Sequence, residues 1–306
     1  MTVEAQPSTD ARLLLGAPLA AEVRRQVKRG VAELRRRDGR LPVLAAVRIG
    51  RQAAAGVYVQ QILRSCRLVG VPSTVVELPR TTTAEELRAQ IEQLNEDPDV
   101  AGIIVQMPLP RHIPLSTVTD TIRPAKDIDG IHPLNTGLMA LGYESFLPAC
   151  AEAAVHILKR SGFELAGKRA VVIGRSNVVG KPVQLLLMRE NCTVTVCHRR
   201  TRNLAAEVKR AEVVVTASGH AGLVTGEMLM PGALVVDVGI NVVPGGIVGD
   251  VEFESARRTA AAITPVPGGV GPLTNAILLE HLIRAARWQR SGHPITAGHG
   301  RKRRAA

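Results

Sequence analysis

Three groups of residues in this chain of 306 amino acids have types and spacing that suit chemistry. The first is the turn "VVIGRSNVVGKP", in which Gly174, Ser176 and Gly180 follow an apolar run and precede a helical pattern. Small residues there let the backbone approach a pyrophosphate, and the helix N-terminus supplies amides and a positive dipole. Ser176 replaces the middle glycine of the strict dinucleotide fingerprint, so the turn alone predicts a nucleotide site only weakly.

Basic residues follow the next apolar run, where a dinucleotide site selects its cofactor. A site for NAD would place an acid there for the ribose 2′-hydroxyl, but this chain has His198, Arg199 and Arg200, with Arg175 in the turn itself. Guanidinium groups suit the 2′-phosphate of NADP, so the pattern favours NADP over a merely solvated basic loop. Ile240, at the end of "VVDVGIN", is placed to pack against a nicotinamide ring, although an ordinary strand end explains it as well.

The second group consists of polar residues that follow another apolar run. Gln106 lies in "VQMPLP", and Asp127 and Asp129 lie in "KDIDG". An Asp-x-Asp-Gly sequence opens some calcium loops, but the further oxygen ligands and the distal glutamate are missing, so we predict no metal site. Asp127 fits a structural turn. Asp129 fits either a turn or a cleft, where its carboxylate would accept hydrogen bonds from the amino or amide groups of a ligand.

The third group is the helical stretch "GVYVQQILRSC", which contains Tyr58. One turn later, where a partner side chain would stand on the same face, is Ile62, which has no titratable atom. Gln60, Gln61 and Arg64 project about 100° to 200° away from Ile62 around the helix. The stretch is therefore either a catalytic helix without its acid–base group or simply a buried helix.

Short apolar runs alternate with longer helical patterns, which predicts an α/β protein whose parallel sheets are covered on both faces. We predict strands at residues 43–49, 74–78, 101–106, 170–174, 193–197, 212–217 and 233–239. We predict helices at about residues 18–38, 53–69, 84–96, 150–161, 179–190, 203–210 and 273–290. The Pro/Gly-rich stretch at 264–272 is predicted to be a rigid turn or the wall of a site, and not a helix.

Composition limits the classes of function. The hydrophobic fraction of 45% fits a globular protein, and no run approaches the ~18 apolar residues of a membrane span. The four cysteines form no Cys-x-x-Cys pair, which indicates a reducing cytoplasm and argues against zinc. Seven of the basic residues behind the net charge of +12 follow His281, and residues 291–306 are predicted to be a disordered basic tail. With one Trp, two Tyr and three Phe there is no stacking platform, so we expect no nucleic-acid partner.

Taken together, the motifs resemble one enzyme family. The stretches "VQMPLP", "KDIDGIHPLNTG", "GRSNVVGKP", "VDVGIN" and "TPVPGGVGPLT" occur in the order and spacing of the bifunctional methylenetetrahydrofolate dehydrogenase/methenyltetrahydrofolate cyclohydrolase (FolD) family, over about residues 12–288. The resemblance implies a folate-binding catalytic domain at residues 1–149, completed by the helix at 273–290, and a Rossmann-type NADP-binding domain at 150–272. It also implies long helices joining the domains, a cleft between them, and a homodimer.

The resemblance also assigns roles to residues. Tyr58 would stack against the pterin, Gln106 would lie near the reacting centre, and Asp129 would hold the polar edge of the pterin. These three are the implied catalytic residues, and with Pro267 and Gly268 they are the implied substrate contacts. The implied NADP contacts are Gly174, Arg175, Ser176, Arg199 and Ile240.

The chain departs from the family at a residue on which one reaction depends. The family's Tyr-Val-x-x-Lys motif carries a lysine for the proton chemistry of the cyclohydrolase, and that position is Ile62 here. In addition, the Thr-Pro pair that starts a long interdomain helix is replaced by Cys150–Ala151, which weakens the start of that helix. Arg199 stands where a serine is expected, which would strengthen a phosphate contact.

We therefore expect NADP-dependent oxidation of 5,10-methylenetetrahydrofolate to 5,10-methenyltetrahydrofolate, with the hydrolysis to 10-formyltetrahydrofolate weak or lost. The alternative is a catalytically impaired or altered-substrate paralogue that binds folate and NADP. An unrelated NADP dehydrogenase on a similar scaffold is a third hypothesis. Whether another lysine, such as Lys126, reaches the place of the missing one is a question for the structure.

Overall fold

The structure is a computed structural model that describes residues 10–50 and 53–291, with only the backbone described at residues 53–58. The strands are β1 (Arg12–Leu13), β2 (Val43–Ile49), β3 (Ser73–Leu78), β4 (Val100–Val105), β5 (Arg169–Ile173), β6 (Thr193–Cys197), β7 (Val213–Thr216), β8 (Leu234–Asp237), β9 (Asn241–Val243), β10 (Gly246–Val248) and β11 (Ala262–Ile263). The α-helices are α1 (Gly16–Asp38), α2 (Ala53–Val69), α3 (Ala84–Glu96), α4 (Ser116–Thr119), α5 (Pro133–Leu141), α6 (Ala149–Lys159), α7 (Gly180–Arg189), α8 (Leu204–Lys209), α9 (Phe253–Ala256) and α10 (Val270–Ser291). A short 3-10 helix covers Gly226–Met228.

The described residues divide into two units. The six-stranded unit comprises residues 10–19 and 150–274, and the three-stranded unit comprises residues 20–149 and 275–291. The chain passes from one unit to the other after Leu19, Ala149 and Thr274. The prediction of two α/β domains is thus confirmed, while the cleft between them stays a prediction.

The six-stranded unit is built on one parallel sheet with the strand order β1-β11-β8-β7-β5-β6. The central strands β7 and β8 are buried along their whole length, whereas the edge strand β6 alternates exposed and half-buried residues and is buried only at Cys197. This is the pattern of a sheet covered on both faces. If β5, β6, β7, β8 and β11 are numbered 1 to 5, their order in the sheet is 2-1-3-4-5, one of the common doubly wound arrangements. All these strands are parallel, and the topological switch point, where the order of the strands reverses, lies between β5 and β7.

The three-stranded unit has a parallel sheet of order β3-β2-β4. Strand β4 is buried at every residue because α10 and the segment around Ile128 lie close to it, so that a Cβ at Gly102 would stand 2.8 Å from Leu282. Helix α3 packs Leu87 and Ile91 into the core cluster of this unit. A capping box starts α3: the Thr83 hydroxyl accepts from Glu86 N, and the Glu86 carboxylate accepts from Thr83 N.

All seven predicted strands are present, but two predictions about boundaries differ from the structure. The predicted first domain began at residue 1, yet residues 10–19 belong to the six-stranded unit, because β1 pairs with β11 there. The stretch 264–272 was predicted to contain no helix, but α10 already begins at Val270. Pro272 is accommodated because it lies in the first turn, where a backbone N–H has no partner within the helix. The predicted basic tail after Ser291 lies outside the described residues.

Among the described residues, no helix is both long and apolar enough to cross a membrane.

Candidate active site

The turn after β5 brings backbone segments into close contact, which is why it needs glycine. Gly174 has φ +124°, and a Cβ there would stand 2.2 Å from the carbonyl oxygen of Ala217. A Cβ at Gly180 would stand 2.2 Å from the carbonyl oxygen of Gly174. These contacts correspond to the tight turn and the close helix–strand packing that glycines provide in dinucleotide sites. The turn therefore fits a nucleotide cofactor despite the missing middle glycine.

Ser176 lies in the turn that leads into α7. Its Oγ accepts hydrogen bonds from the backbone N–H groups of Val179, at 3.1 Å, and Gly180, at 3.4 Å. The side chain thus stabilises the turn from Ser176 to Gly180, the first residue of α7. The hydroxyl proton of Ser176 is still able to donate to a phosphate oxygen, because the side chain is exposed.

The basic residues lie beside this turn. Gly174 N donates to the carbonyl oxygen of Cys197 over 2.9 Å, so the turn that begins at His198 is adjacent to the Gly174 turn. A tight turn holds this segment: His198 N donates to the Thr201 hydroxyl, and Thr201 N donates to the His198 carbonyl. Arg175, Arg199 and Arg200 are exposed and make no ion pair with any described residue. Three unneutralised guanidinium groups at the sheet edge suit a phosphate ligand.

Ile240 lies at the same carboxyl edge of the sheet, just beyond β8. Its side chain is 68% exposed although it is apolar. Its neighbours are held in place, because Gly239 N donates to the buried carboxylate of Asp237 and the Asn241 amide donates to the buried carboxylate of Asp250. Sequence reasoning missed these two aspartates. The only sequence signal for them was their position, since Asp237 is the last residue of β8 and Asp250 lies shortly after β10.

In the three-stranded unit, Gln106 directly follows β4. Its backbone N–H donates to the Val47 carbonyl over 2.9 Å, which extends the sheet pairing by one residue and fixes where the side chain starts. Gln106 is buried. A cis peptide bond joins Met107 to Pro108 immediately afterwards. Gln106 therefore lies just beyond the carboxyl end of β4, on the side of the sheet where open parallel sheets bind their ligands.

Asp127 and Asp129 differ sharply in their surroundings. Asp127 is fully buried and accepts hydrogen bonds from Ile131 N (3.1 Å), His132 N (2.8 Å) and the Asn135 amide (2.8 Å). Burial raises the pKa of Asp127, and these donors oppose that rise. With its oxygens directed to N–H donors, Asp127 holds the turn that leads into α5. No cluster of three or more potential metal ligands occurs in the described parts of the chain.

Asp129 retains some accessible surface, yet its surroundings disfavour its charge. Burial and, secondly, the nearby Asp127 carboxylate raise the pKa of Asp129 to about 7, while the backbone N–H of Ala149 lowers it by hydrogen bonding. Ala149 is the first residue of α6, so Asp129 caps the helix whose Thr-Pro start is missing from this sequence. The sequence did not reveal this contact, because the two residues are distant along the chain.

Ile62 lies on the buried face of α2, with 1% of its side chain exposed, while Gln60, Gln61 and Arg64 are exposed. Lys126 does not offer a free ammonium group, because its Nζ donates to the carbonyl oxygens of Leu94 (3.0 Å) and Asp97 (2.6 Å) at the end of α3. Burial lowers the pKa of Lys126. The side chain of Tyr58 lies outside the described atoms, so its predicted role stays a prediction.

Pro267 and Gly268 form part of a bent loop in the six-stranded unit. The Val266–Pro267 peptide bond is cis, and Gly268 has φ +113°. The loop is anchored because Gly16 N donates to the Gly268 carbonyl over 3.0 Å. The structure thus brings together the predicted cofactor residues in one unit, and Gln106 and Asp129 belong to the other. Their combination with Pro267 and Gly268 into one substrate site stays a prediction.

Comparison with known proteins identifies relatives of both units. Residues 14–129 match the model of the tetrahydrofolate dehydrogenase/cyclohydrolase catalytic domain, and residues 148–290 match the model of the NAD(P)-binding domain of the same enzymes. The chain is 48% identical over 278 residues to the bifunctional protein FolD of Moorella thermoacetica, covering 90% of this chain and 99% of that protein.

Solved structures give the same result. The bifunctional enzyme FolD from Campylobacter jejuni superimposes with a TM-score of 0.88 at 40% identity, covering 91% of this chain and 99% of that chain. The Trypanosoma brucei N5,N10-methylenetetrahydrofolate dehydrogenase-cyclohydrolase, solved with NADP cofactor and inhibitor, has a TM-score of 0.88 at 38% identity. The match covers 93% of this chain and 99% of that chain.

Proposed function

Because the chain belongs to the tetrahydrofolate dehydrogenase/cyclohydrolase family, we propose that it oxidises 5,10-methylenetetrahydrofolate to 5,10-methenyltetrahydrofolate with NADP. The observation that carries this proposal is the turn after β5, whose glycines make close backbone contacts beside unpaired arginines. The six-stranded unit is the family's NAD(P)-binding domain, and the three-stranded unit corresponds to its catalytic domain.

The choice of NADP rests on charge at the cofactor turn. Arg175, Arg199 and Arg200 lie at the edge next to the Gly174 turn with no acidic partner among the described residues. An NAD site would need an acid there to accept from the ribose 2′-hydroxyl. A guanidinium group instead donates to the 2′-phosphate that distinguishes NADP. The solved Trypanosoma brucei relative, which contains NADP, supports the same choice.

The oxidation needs placement more than proton chemistry. NADP supplies the hydride acceptor, and the protein has to hold the methylene carbon against it in a suitable geometry. On the folate side we propose that Tyr58 stacks against the pterin, Gln106 faces the reacting centre, and Asp129 accepts from the polar edge of the pterin. On the cofactor side, the exposed apolar side chain of Ile240 provides a surface for a flat ring.

The second family reaction requires groups that this chain lacks at the expected place. Water must add to the methenyl carbon, and a proton must reach N5 as its bond to that carbon breaks. A positioned acid–base side chain contributes about 10²–10⁴-fold to such steps. Ile62 has no titratable atom and is buried, and Lys126 donates to two carbonyls at the end of α3. We therefore propose that the cyclohydrolase activity is weak or lost.

A direct test mixes the purified protein with 5,10-methylenetetrahydrofolate and NADP and follows NADPH and the methenyl chromophore together. Accumulation of both supports an active dehydrogenase with an impaired hydrolase. If NADPH forms without methenyl, and added methenyl decays faster than in buffer, another group replaces the lysine and the proposal about hydrolysis is wrong. If neither product appears although both ligands bind, the dehydrogenase proposal is wrong.

That last outcome would favour the second candidate, a paralogue that binds folate and NADP without turning them over or acts on a related substrate. Ile62 and the Cys150–Ala151 start of α6 favour this alternative. The intact cofactor turn favours the enzyme. We also propose a homodimer, to be tested by light scattering. A cytoplasmic location is supported by the four free cysteines.

A further inference from the structure

Two buried carboxylates lie beneath the carboxyl edge of the six-stranded sheet, and neither belongs to the residues proposed to touch ligands. Asp250 is fully buried. Its Oδ2 accepts from Ser218 N (2.5 Å), the Ser218 hydroxyl (2.9 Å) and Gly219 N (3.1 Å). Its Oδ1 accepts from His220 N (3.1 Å) and the Asn241 amide (2.9 Å). One side chain thus fixes the loop that follows β7 and the segment that follows β8.

Asp237 fixes the base of the same region. Its carboxylate accepts from Gly239 N (2.8 Å), Asp250 N (3.1 Å), Val251 N (2.8 Å) and the Thr216 hydroxyl (2.9 Å). The bond from Asp250 N joins the two carboxylates into one network. Buried charged groups are stable only with such complete hydrogen bonding, and a fully satisfied network holds a single arrangement.

The glycines of this region fit against the carboxylates. A Cβ at Gly239 would stand 2.3 Å from Oδ1 of Asp250, and a Cβ at Gly249 would stand 1.9 Å from Oδ2 of Asp237. Neither position therefore accepts a side chain without moving a carboxylate. Ile240 is held on both sides as a result: Gly239 is tied to Asp237, and Asn241 is tied to Asp250.

We propose that Asp250 is the positioning residue for the nicotinamide end of the cofactor site. It acts through the 218–220 loop and Asn241, which set the place of the exposed Ile240 side chain. This inference rests on the proposed function. It separates two tasks within the six-stranded unit: the Gly174 turn and the arginines hold the phosphates, while the Asp250 network places the ring that accepts the hydride.

The geometry predicts which substitution breaks the network. In Asp250→Asn the side chain keeps its size, but one oxygen becomes an NH₂ donor. In either orientation of the amide, that NH₂ group would face at least two donors, because each carboxylate oxygen accepts from two or three N–H or O–H groups. The loop and Asn241 must then move. Asn241→Ala removes a single bond and provides a milder second variant.

The experiment compares two probes that share the phosphate-binding end, NADPH and adenosine 2′,5′-bisphosphate, which has no nicotinamide. Binding is measured by NADPH fluorescence and by calorimetry. We expect Asp250→Asn to weaken NADPH binding about tenfold, because the apolar contact between Ile240 and the nicotinamide ring is displaced, and to leave binding of the bisphosphate unchanged. Asn241→Ala should show the same selectivity with a smaller loss. The matched control is Ser255→Ala, which removes the bond from Gly226 N (2.9 Å) in the same unit and should change neither affinity.

The outcomes separate the two proposals. The positioning role is overturned if Asp250→Asn weakens the binding of both probes equally, or weakens the binding of neither. If Asp250→Asn does not fold, Asn241→Ala decides the question by the same comparison. The unaltered protein is measured before any variant. If it binds the bisphosphate but not NADPH, or binds neither probe, the result counts against the proposed dehydrogenase.

Discussion

Replacing Ile62 by lysine is the sharpest test of why this chain should differ from its bifunctional relatives. If the proton group of the hydrolysis step is all that is missing, Ile62→Lys should raise the rate of methenyltetrahydrofolate hydrolysis by about 10²–10⁴-fold, the usual contribution of a positioned acid–base group. The oxidation rate should change much less, because hydride transfer to NADP requires no protein proton.

The structure also predicts a cost for this substitution. Ile62 is 1% exposed, so the lysine loses the burial of the isoleucine side chain, roughly 1.5–3 kcal/mol, and has to keep its ammonium group solvated or hydrogen-bonded. Lys126 illustrates the requirement in the same unit, since its buried Nζ is held by the carbonyls of Leu94 and Asp97 and burial lowers its pKa. We expect the free energy of unfolding to fall by about 2–4 kcal/mol.

The assay measures the decay of added methenyltetrahydrofolate above the buffer rate, together with urea unfolding. Ile62→Met serves as the control, because it keeps the apolar volume and should cost less than about 1.5 kcal/mol without any gain in hydrolysis. The reasoning is refuted if Ile62→Lys folds, still oxidises methylenetetrahydrofolate, and yet hydrolyses no faster than Ile62→Met. It is equally refuted if the unaltered chain already hydrolyses at the rate of the lysine variant.

Three further predictions concern the cofactor turn and the folate side. Arg199→Ser should weaken NADP by roughly 10- to 100-fold, the loss of a charge-assisted hydrogen bond, while NAD changes little; equal losses in calorimetry would remove Arg199 from the 2′-phosphate. Gly180→Ala should lower the free energy of unfolding by about 1–3 kcal/mol and abolish NADPH binding, because the alanine Cβ would stand 2.2 Å from the Gly174 carbonyl oxygen. An unchanged melting temperature of the variant would contradict this prediction. Asp129 has a pKa of about 7, above its ordinary value, so its contribution to stability is present at low pH and is lost as the pH rises through about 7. Asp129→Asn should therefore gain stability relative to the unaltered protein between about pH 4 and 7, by up to about 4 kcal/mol, and a pH-independent difference in urea unfolding would count against the raised pKa.

The sequence predicted the sheets well because parallel buried strands leave a strong pattern. The run "AGIIVQ" contains β4, which is buried on both faces, and "EVVVTA" contains β7. Such runs are almost continuously apolar and are bounded by turn residues. The short strand β1 was missed because its two residues are exposed and carry no apolar period; only the partner strand β11, distant in sequence, makes Arg12–Leu13 a strand.

The cofactor turn was also predictable, since its close contacts can be made only by glycine and therefore appear in the sequence. The two buried aspartates were not predictable, because an aspartate after a strand looks the same whether it faces water or five hydrogen-bond donors. The contact between Asp129 and Ala149 escaped for a related reason. It depends on the tertiary fold, which places the segment after β4 that contains Asp129 next to the start of α6, and no local sequence pattern predicts that contact.

Hydrogen-bond donors around each carboxylate distinguish its role more clearly than position in a motif does. Asp127 and Asp129 are two residues apart in one stretch, yet Asp127 accepts from two backbone N–H groups of its own turn and from the Asn135 amide of α5, and has no need of a ligand. Asp129 accepts from the backbone N–H of Ala149, and burial together with the like charge of Asp127 raises its pKa. A carboxylate in that situation gains most from a ligand that brings its own N–H groups, as the amino and amide groups of a pterin do. Ligand donors would favour the charged form, so folate binding near pH 7 should release a proton from Asp129, while Asp127 stays unchanged.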